Sequence, residues 1–253
     1  MPRIARHALV FSCLALSIYA LAAYTLLPVG AAVQPEMRHA FETRAVALRV
    51  HVFAAIFALA LGPFQFSAAL RAARPRLHRI MGRLYLGVGV LVGGSAGLYV
   101  AQEAYGGALA QAGFSLLAMA WLYTGWRAFS AIRAGDVARH RAWMLRNFAL
   151  TLAAVTLRIY LPLSMLAAVP WASAYAAIAW LCWVPNVLAI EWWLRRYRLR
   201  CMASKRSTEK PRITLPPARM SGTPLPPSSL NRRLPSVDFS TSISVKRMPL
   251  AVK

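Results

Sequence analysis

Six separate runs of roughly 20 mostly apolar residues fill the first 193 positions of this chain, and each is long enough to cross a bilayer as a helix. They lie at about 8–28, 46–70, 80–102, 108–131, 143–166 and 170–193. Irregular backbone facing lipid would leave its N–H and C=O groups unpaired, so each run is expected to be helical. Pro63, Pro162 and Pro185 then mark kinks rather than ends. The expected fold class is all-α: a polytopic membrane protein with six transmembrane helices. Composition excludes the main competitors. A formal charge of +23 would suit a soluble nucleic-acid binder, but only 15% of residues are charged and 58% are hydrophobic, against roughly 25% charged in ordinary soluble domains. Three cysteines cannot all pair with one another, so a disulfide scaffold is also excluded.

The basic residues predict an orientation. Arg3 and Arg6 precede the first run; Arg71, Arg74, Arg76, Arg79 and Arg83 crowd the second connection; Arg133, Arg139, Arg141 and Arg146 crowd the fourth. Residues 103–107 and 166–170 carry no positive charge, and in the first connection Glu36 and Glu42 offset Arg38 and Arg44. Basic connections alternate with poor ones, which places both termini in the cytoplasm. The first run has the basic start of a secretory signal, with Val29-Gly30-Ala31 as a cleavage-like site. Its apolar core is long for a signal, so it is read as an uncleaved helix. Two regions follow: a membrane domain over 1–193 and a basic tail over 194–253. Rich in Pro, Ser and Arg, the tail is expected to be disordered and drawn to anionic headgroups, with no specific nucleic-acid partner.

An internal likeness joins FSAALRAARPRLHR at 66–79 to FSAIRAGDVARHR at 129–141. One gap aligns Phe66 with Phe129, Ser67 with Ser130, Arg71 with Arg133, and His78-Arg79 with His140-Arg141. Helices 2–3 and 4–5 therefore read as two similar hairpins forming a four-helix core, flanked by helices 1 and 6.

Two groups of residues are candidates for chemistry. His78 and His140 each begin a helix running outward from the cytoplasm, which puts both imidazoles at one depth. Two histidines facing across a four-helix bundle are what a six-coordinate haem b requires, and here they would be its metal ligands. Arg79, Arg83, Arg141 and Arg146 are near enough in sequence to meet its propionates. No CxxCH motif is present, so covalent haem attachment is excluded. The same histidines also read as interfacial residues anchoring two loops. The second group lies toward the outer face. Arg158 stands about 24 Å from the start of its helix by helical rise, and an intramembrane arginine must find a cavity, a partner or the interface. With His51, Glu103 and Arg49 it forms a candidate site for an anion, a substrate carboxylate or a cofactor, and His51 by itself could bond a quinone. Snorkelling toward Glu103 is the competing reading.

GPFQF at 62–66, HRIMGRLY at 78–85 and HRAWMLRNFALTLAAVTLRIYL at 140–161 together resemble the bacterial membrane-protein family known as domain of unknown function 2306, over roughly residues 45–190. The resemblance implies an integral membrane protein and no particular reaction. In layout alone the chain is also similar to the ascorbate-linked transmembrane cytochromes b, with only the helix 3/helix 5 histidine pair matching. Two functions stand open at this point. One is a redox protein with a single haem b that exchanges electrons with quinone or a redox partner. The other is a cofactor-free small-molecule transporter, sensor or accessory membrane subunit.

Overall fold

The structure, a computed structural model, describes residues 3–28, 31 and 34–208. Val29-Gly30 of the cleavage-like site and residues 209–253 of the expected tail lie outside the described residues. Six long helices carry the fold: α1 (Arg3–Leu26), α2 (Ala45–Gln65), α3 (Pro75–Ala101), α4 (Gly107–Arg133), α5 (Val137–Leu166) and α6 (Trp171–Tyr197). No strand occurs among the described residues. Five of the six are long and apolar enough to cross a membrane. The exception is α4, whose 27 residues suffice in length but whose hydropathy falls short. The reason is its position. It packs against α3, α5 and α6, and it spends positions such as Gly113, Trp121, Thr124 and Gly125 on those neighbours rather than on lipid.

Helices α2, α3, α4 and α5 close a four-membered ring, with α1 laid against α2 and α6 against α4 and α5. Neighbours in the ring run antiparallel: His51 near the start of α2 meets Gly93 late in α3, while Gly62 near the end of α2 lies beside Tyr85. Ring packing is driven by small residues, which let backbones approach where lipid tails offer no hydrophobic push. A Cβ on Gly93 would come within 3.3 Å of Ala54 Cβ. Large apolar side chains such as Phe11 (73% exposed), Leu91 (60%) and Leu188 (63%) point away from the bundle, as expected of surfaces in contact with a bilayer.

The proline expectations hold in part. Pro63 and Pro162 lie inside helices. The α6 helix breaks at Cys182–Trp183 and resumes at Val184, so Pro185 occupies the first turn of the resumed segment, where its missing N–H costs no hydrogen bond. That helix runs to Thr208, past the expected boundary at 193, because the segment after Glu191 is rich in Leu, Arg and other strong helix formers. The two hairpins differ at their loops. In the first, Ser67 caps a separate short helix, Ala68–Ala73, by accepting from Leu70 N–H at 3.2 Å. In the second, α4 runs through Ser130 and turns at Gly135 (φ 75°), and Asp136 caps α5 by accepting from Arg139 N–H at 2.8 Å.

Two irregularities shape the interior. Residues Tyr85–Val92 of α3 are π-helical, a widened turn that re-aims side chains and recurs at functional sites. After α1 the chain folds back in two short helices, Pro35–Met37 and Arg38–Thr43, which bury Met37 and roof one end of the bundle.

Candidate functional site

Spacing along α5 places one stripe of residues toward the bundle interior. His140, Met144, Asn147, Thr151, Ala154 and Arg158 recur every three or four positions, which puts them on one helical face. The matching stripe on α3 is His78, Gly82, Tyr85 and Gly89. At mid-bundle these stripes meet in a buried polar network. Tyr85 donates to Asn147 Oδ1 at 2.8 Å, and its hydroxyl lies 2.9 Å from Thr151 Oγ1. Trp121 Nε1–H donates to Thr151 Oγ1 at 2.9 Å, and Asn147 Nδ2 donates to the Trp121 carbonyl (2.7 Å) and to Thr124 Oγ1 (2.8 Å). Tyr85 and Asn147 are both fully buried. Every polar atom of the Asn147 side chain is satisfied, as burial in low dielectric demands.

Above this network a cavity of about 790 Å³ opens toward the end of the bundle that holds the α1–α2, α3–α4 and α5–α6 connections. Trp121 and Thr151 form its floor, and the roof helices contribute Met37 and Phe41. Three of the four residues expected at an outer-side polar site, His51, Glu103 and Arg158, line this one cavity. Arg49 does not; it is exposed on α2, because two residues along a helix from His51 is a different face.

The pairing within the site differs from expectation. Glu103 is engaged by Arg44, whose Nη2 lies 2.8 Å from Glu103 Oε1 while its Nη1 donates to the Tyr99 carbonyl at 2.6 Å. The Arg44 guanidinium also covers the Tyr99 ring at 3.9 Å. Arg158 therefore does not take Glu103, and among the described residues it makes no hydrogen bond or ion pair. It lines the cavity together with Tyr24, His51 and Tyr175. His51 donates from Nδ1 to the Gly93 carbonyl at 2.7 Å. A carbonyl can only accept, so the bond fixes the tautomer and leaves Nε2 as the ring's free acceptor. Gly97 makes room for the ring, since a Cβ there would lie 2.6 Å from Nδ1.

The other expected group lies at the arginine-rich end. His140 donates from Nδ1 to the Ala128 carbonyl at 2.8 Å. His78 Nδ1 is buried without a partner, as is Gln65 Nε2. Gln65 sits beside Gly82, one turn along α3 from His78. Of the four arginines expected near a cofactor, Arg146 is committed elsewhere: it forms a two-pronged pair with Glu191 and stacks on Trp143 at 4.7 Å. Glu191 thereby ties α6 to α5. Arg79, Arg83 and Arg141 are exposed. No group of three or more His, Cys, Asp or Glu residues suited to a metal ion occurs among the described residues.

Sequence reasoning missed Tyr85, Trp121, Asn147 and Thr151, although Asn147, Thr151 and Arg158 share one helical stripe in the stretch HRAWMLRNFALTLAAVTLRIYL. The Trp171 indole also lines the cavity.

Bundle and cavity together define a polytopic, all-helical membrane protein with an internal site shared by several helices. Residues 48–194 match the family described as predicted membrane protein (DUF2306), and the chain belongs to that family. The matched region runs from the start of α2 into α6 and so contains the whole four-helix ring. No curated protein and no solved structure matches the chain.

Proposed function

We propose that this is a small-molecule-binding protein of the bacterial inner membrane, of the transporter or sensor class, with both termini cytoplasmic and its cavity open to the outer side. The observation that carries the reading is the cavity itself. Its volume falls within the roughly 300–1,000 Å³ of ordinary ligand sites, and it brings together the intramembrane arginine and histidine of α5 and α2. An intramembrane charge is costly and marks a functional position by default. The alternation of basic and non-basic connections supports the orientation.

Both parts are tested by cysteine labelling after Cys13, Cys182 and Cys201 are replaced by Ala. Ala118→Cys inside the cavity and Ala168→Cys in the α5–α6 connection are expected to react with a membrane-impermeant thiol reagent added to spheroplasts. Ala134→Cys is expected to react only after lysis. An unreactive Ala118→Cys beside a reactive Ala168→Cys would overturn the open cavity, and a reactive Ala134→Cys the orientation.

A second reading is favoured by one observation at the arginine-rich end. The bond from His140 Nδ1 to Ala128 leaves Nε2 as the coordinating nitrogen, the arrangement that second-shell bonding gives axial histidines. His78 and His140 would then hold one haem b, which supplies one-electron transfer. The fit is one-sided, because His78 lacks such a bond and Arg146 is committed to Glu191. Purified protein with a Soret band that His140→Ala and His78→Ala each abolish is the expected result of this reading. A colourless preparation from haem-replete cells counts against it.

A further inference from the structure

We propose that the cavity ligand is an amphipathic monoanion, a carboxylate head on an apolar chain, with its head at Arg158, Trp171 and Tyr175 and its chain lying toward Trp121. The inference rests on the cavity reading above and names the ligand class for it.

The charge follows from an imbalance of donors and acceptors. Among the described residues lining the cavity, Arg158 is the one cation that is always charged and Glu103 the one carboxylate. Glu103 is already held by Arg44 at the rim, so Arg158, exposed at the open side of the cavity, has no acid partner among the described residues. Next to it are further donors in want of acceptors. Trp171 Nε1–H is buried without a partner. Tyr175 is only 8% exposed, and its hydroxyl makes no hydrogen bond among the described residues. The Trp171 and Tyr175 rings lie 6.0 Å apart, and both line the cavity together with Arg158. A guanidinium, an indole N–H and a phenol lining one largely apolar cavity suit a group that brings several acceptor oxygens and one negative charge. A dianionic phosphate would call for a second free cation, which the lining does not offer.

The apolar body follows from the floor. Trp121 Nε1 and Thr151 Oγ1 spend their hydrogen bonds on each other and on the network below. The deep part of the cavity therefore offers no unfilled polar partner, only side chains such as Leu59, Ala118 and Leu150. A polar group pushed there would go unsatisfied, while an apolar chain loses nothing.

The test uses the full-length protein in phosphatidylcholine nanodiscs and a mid-chain dibrominated octadecanoate, with the matching alcohol and alkylammonium as comparisons. Bromine quenches nearby tryptophan, so a seated chain reports on Trp121. The carboxylate is expected to quench saturably, and Trp121→Phe to remove that component. Arg158→Leu is expected to weaken binding about ten- to a hundredfold, the worth of a charge-assisted hydrogen bond, and Arg158→Lys to restore part of it. Because Arg158→Leu can also perturb folding, Tyr175→Phe and Trp171→Phe serve as milder variants, each expected to weaken the carboxylate more than the alcohol. An alcohol that binds as tightly as the carboxylate and ignores Arg158→Leu would overturn the anion assignment while leaving the cavity reading intact. Loss of carboxylate binding in phosphatidylglycerol discs would overturn it too, by giving the site to a bilayer lipid. No Trp121 quenching by any probe, in a protein whose Ala118→Cys reacts, would likewise end it. An unreactive Ala118→Cys would instead remove the cavity reading beneath it.

Discussion

Replacing Asn147 with Leu is expected to destabilise the bundle by about 2–4 kcal/mol, the sum of several buried hydrogen bonds worth about 1 kcal/mol each and of the groups left unpaired. The Asn147 side chain is fully buried and joins three helices: it accepts from Tyr85 on α3 and donates to Trp121 and Thr124 on α4. Leucine fills similar volume but leaves Thr124 without that donor and the Tyr85 hydroxyl with Thr151 alone. Tyr85→Phe removes one hydroxyl and is expected to cost less, about 1 kcal/mol, in keeping with the modest worth of hydrogen bonds between membrane helices. Thermal unfolding in detergent, followed by the monodisperse fraction, ranks the two. Equal stability of Asn147→Leu and wild type would mean that the network does not hold the ring together. The change should also open the cavity floor, since Thr151 and Trp121 are positioned from below by these bonds.

Gly89→Leu is expected to have the largest effect of any single substitution in the ring, abolishing its assembly. A Cβ at Gly89 would lie 2.7 Å from Ala58 Cβ and 2.8 Å from Ala58 N. The second of these atoms is backbone and cannot rotate away, so the α2–α3 seam must part. Even Gly89→Ala is expected to cost about 1–3 kcal/mol as overpacking. Gly87, two residues earlier in the same π-helical stretch, has nothing within 4 Å of its would-be Cβ. Gly87→Ala is therefore expected to be neutral within about 1 kcal/mol. Comparing the three variants by expression level and by size-exclusion profile separates a packing requirement from a general need for flexible glycines in α3. A well-behaved Gly89→Leu would show that α2 and α3 are not as close as this seam makes them.

Much of the bundle can be read in the chain because the bilayer leaves few choices. An apolar run of 20 residues must satisfy its own backbone, so helix positions follow from length and hydropathy alone, as the α1, α2 and α3 runs show. The likeness between Phe66–Arg79 and Phe129–Arg141 marks the two hairpins that close the ring. Arg158 stands out because a permanent charge in an apolar run has to be met by something. Helix α4 is the instructive exception. Its hydropathy falls short of the other five while it packs among α3, α5 and α6, and sequence composition does not tell a helix in lipid from one among helices.

What the sequence leaves open is partnership across helices. Glu103 is the one acid near the depth of Arg158 in the sequence, and only the packing gives it to Arg44. Glu191 meets Arg146 across the α5–α6 seam, 45 residues away in the chain. Arg49 shares a stretch of sequence with His51 and stands on the outside of the same helix. The cavity is a tertiary fact altogether: it exists because α1, α6 and the roof helices stand around the four-helix ring without filling its upper end. Local physics fixes which segments become helices and which residues are costly inside them. The partner of each costly residue depends on the rotation and register of helices far apart in the chain, and those are settled only when all the helices pack at once.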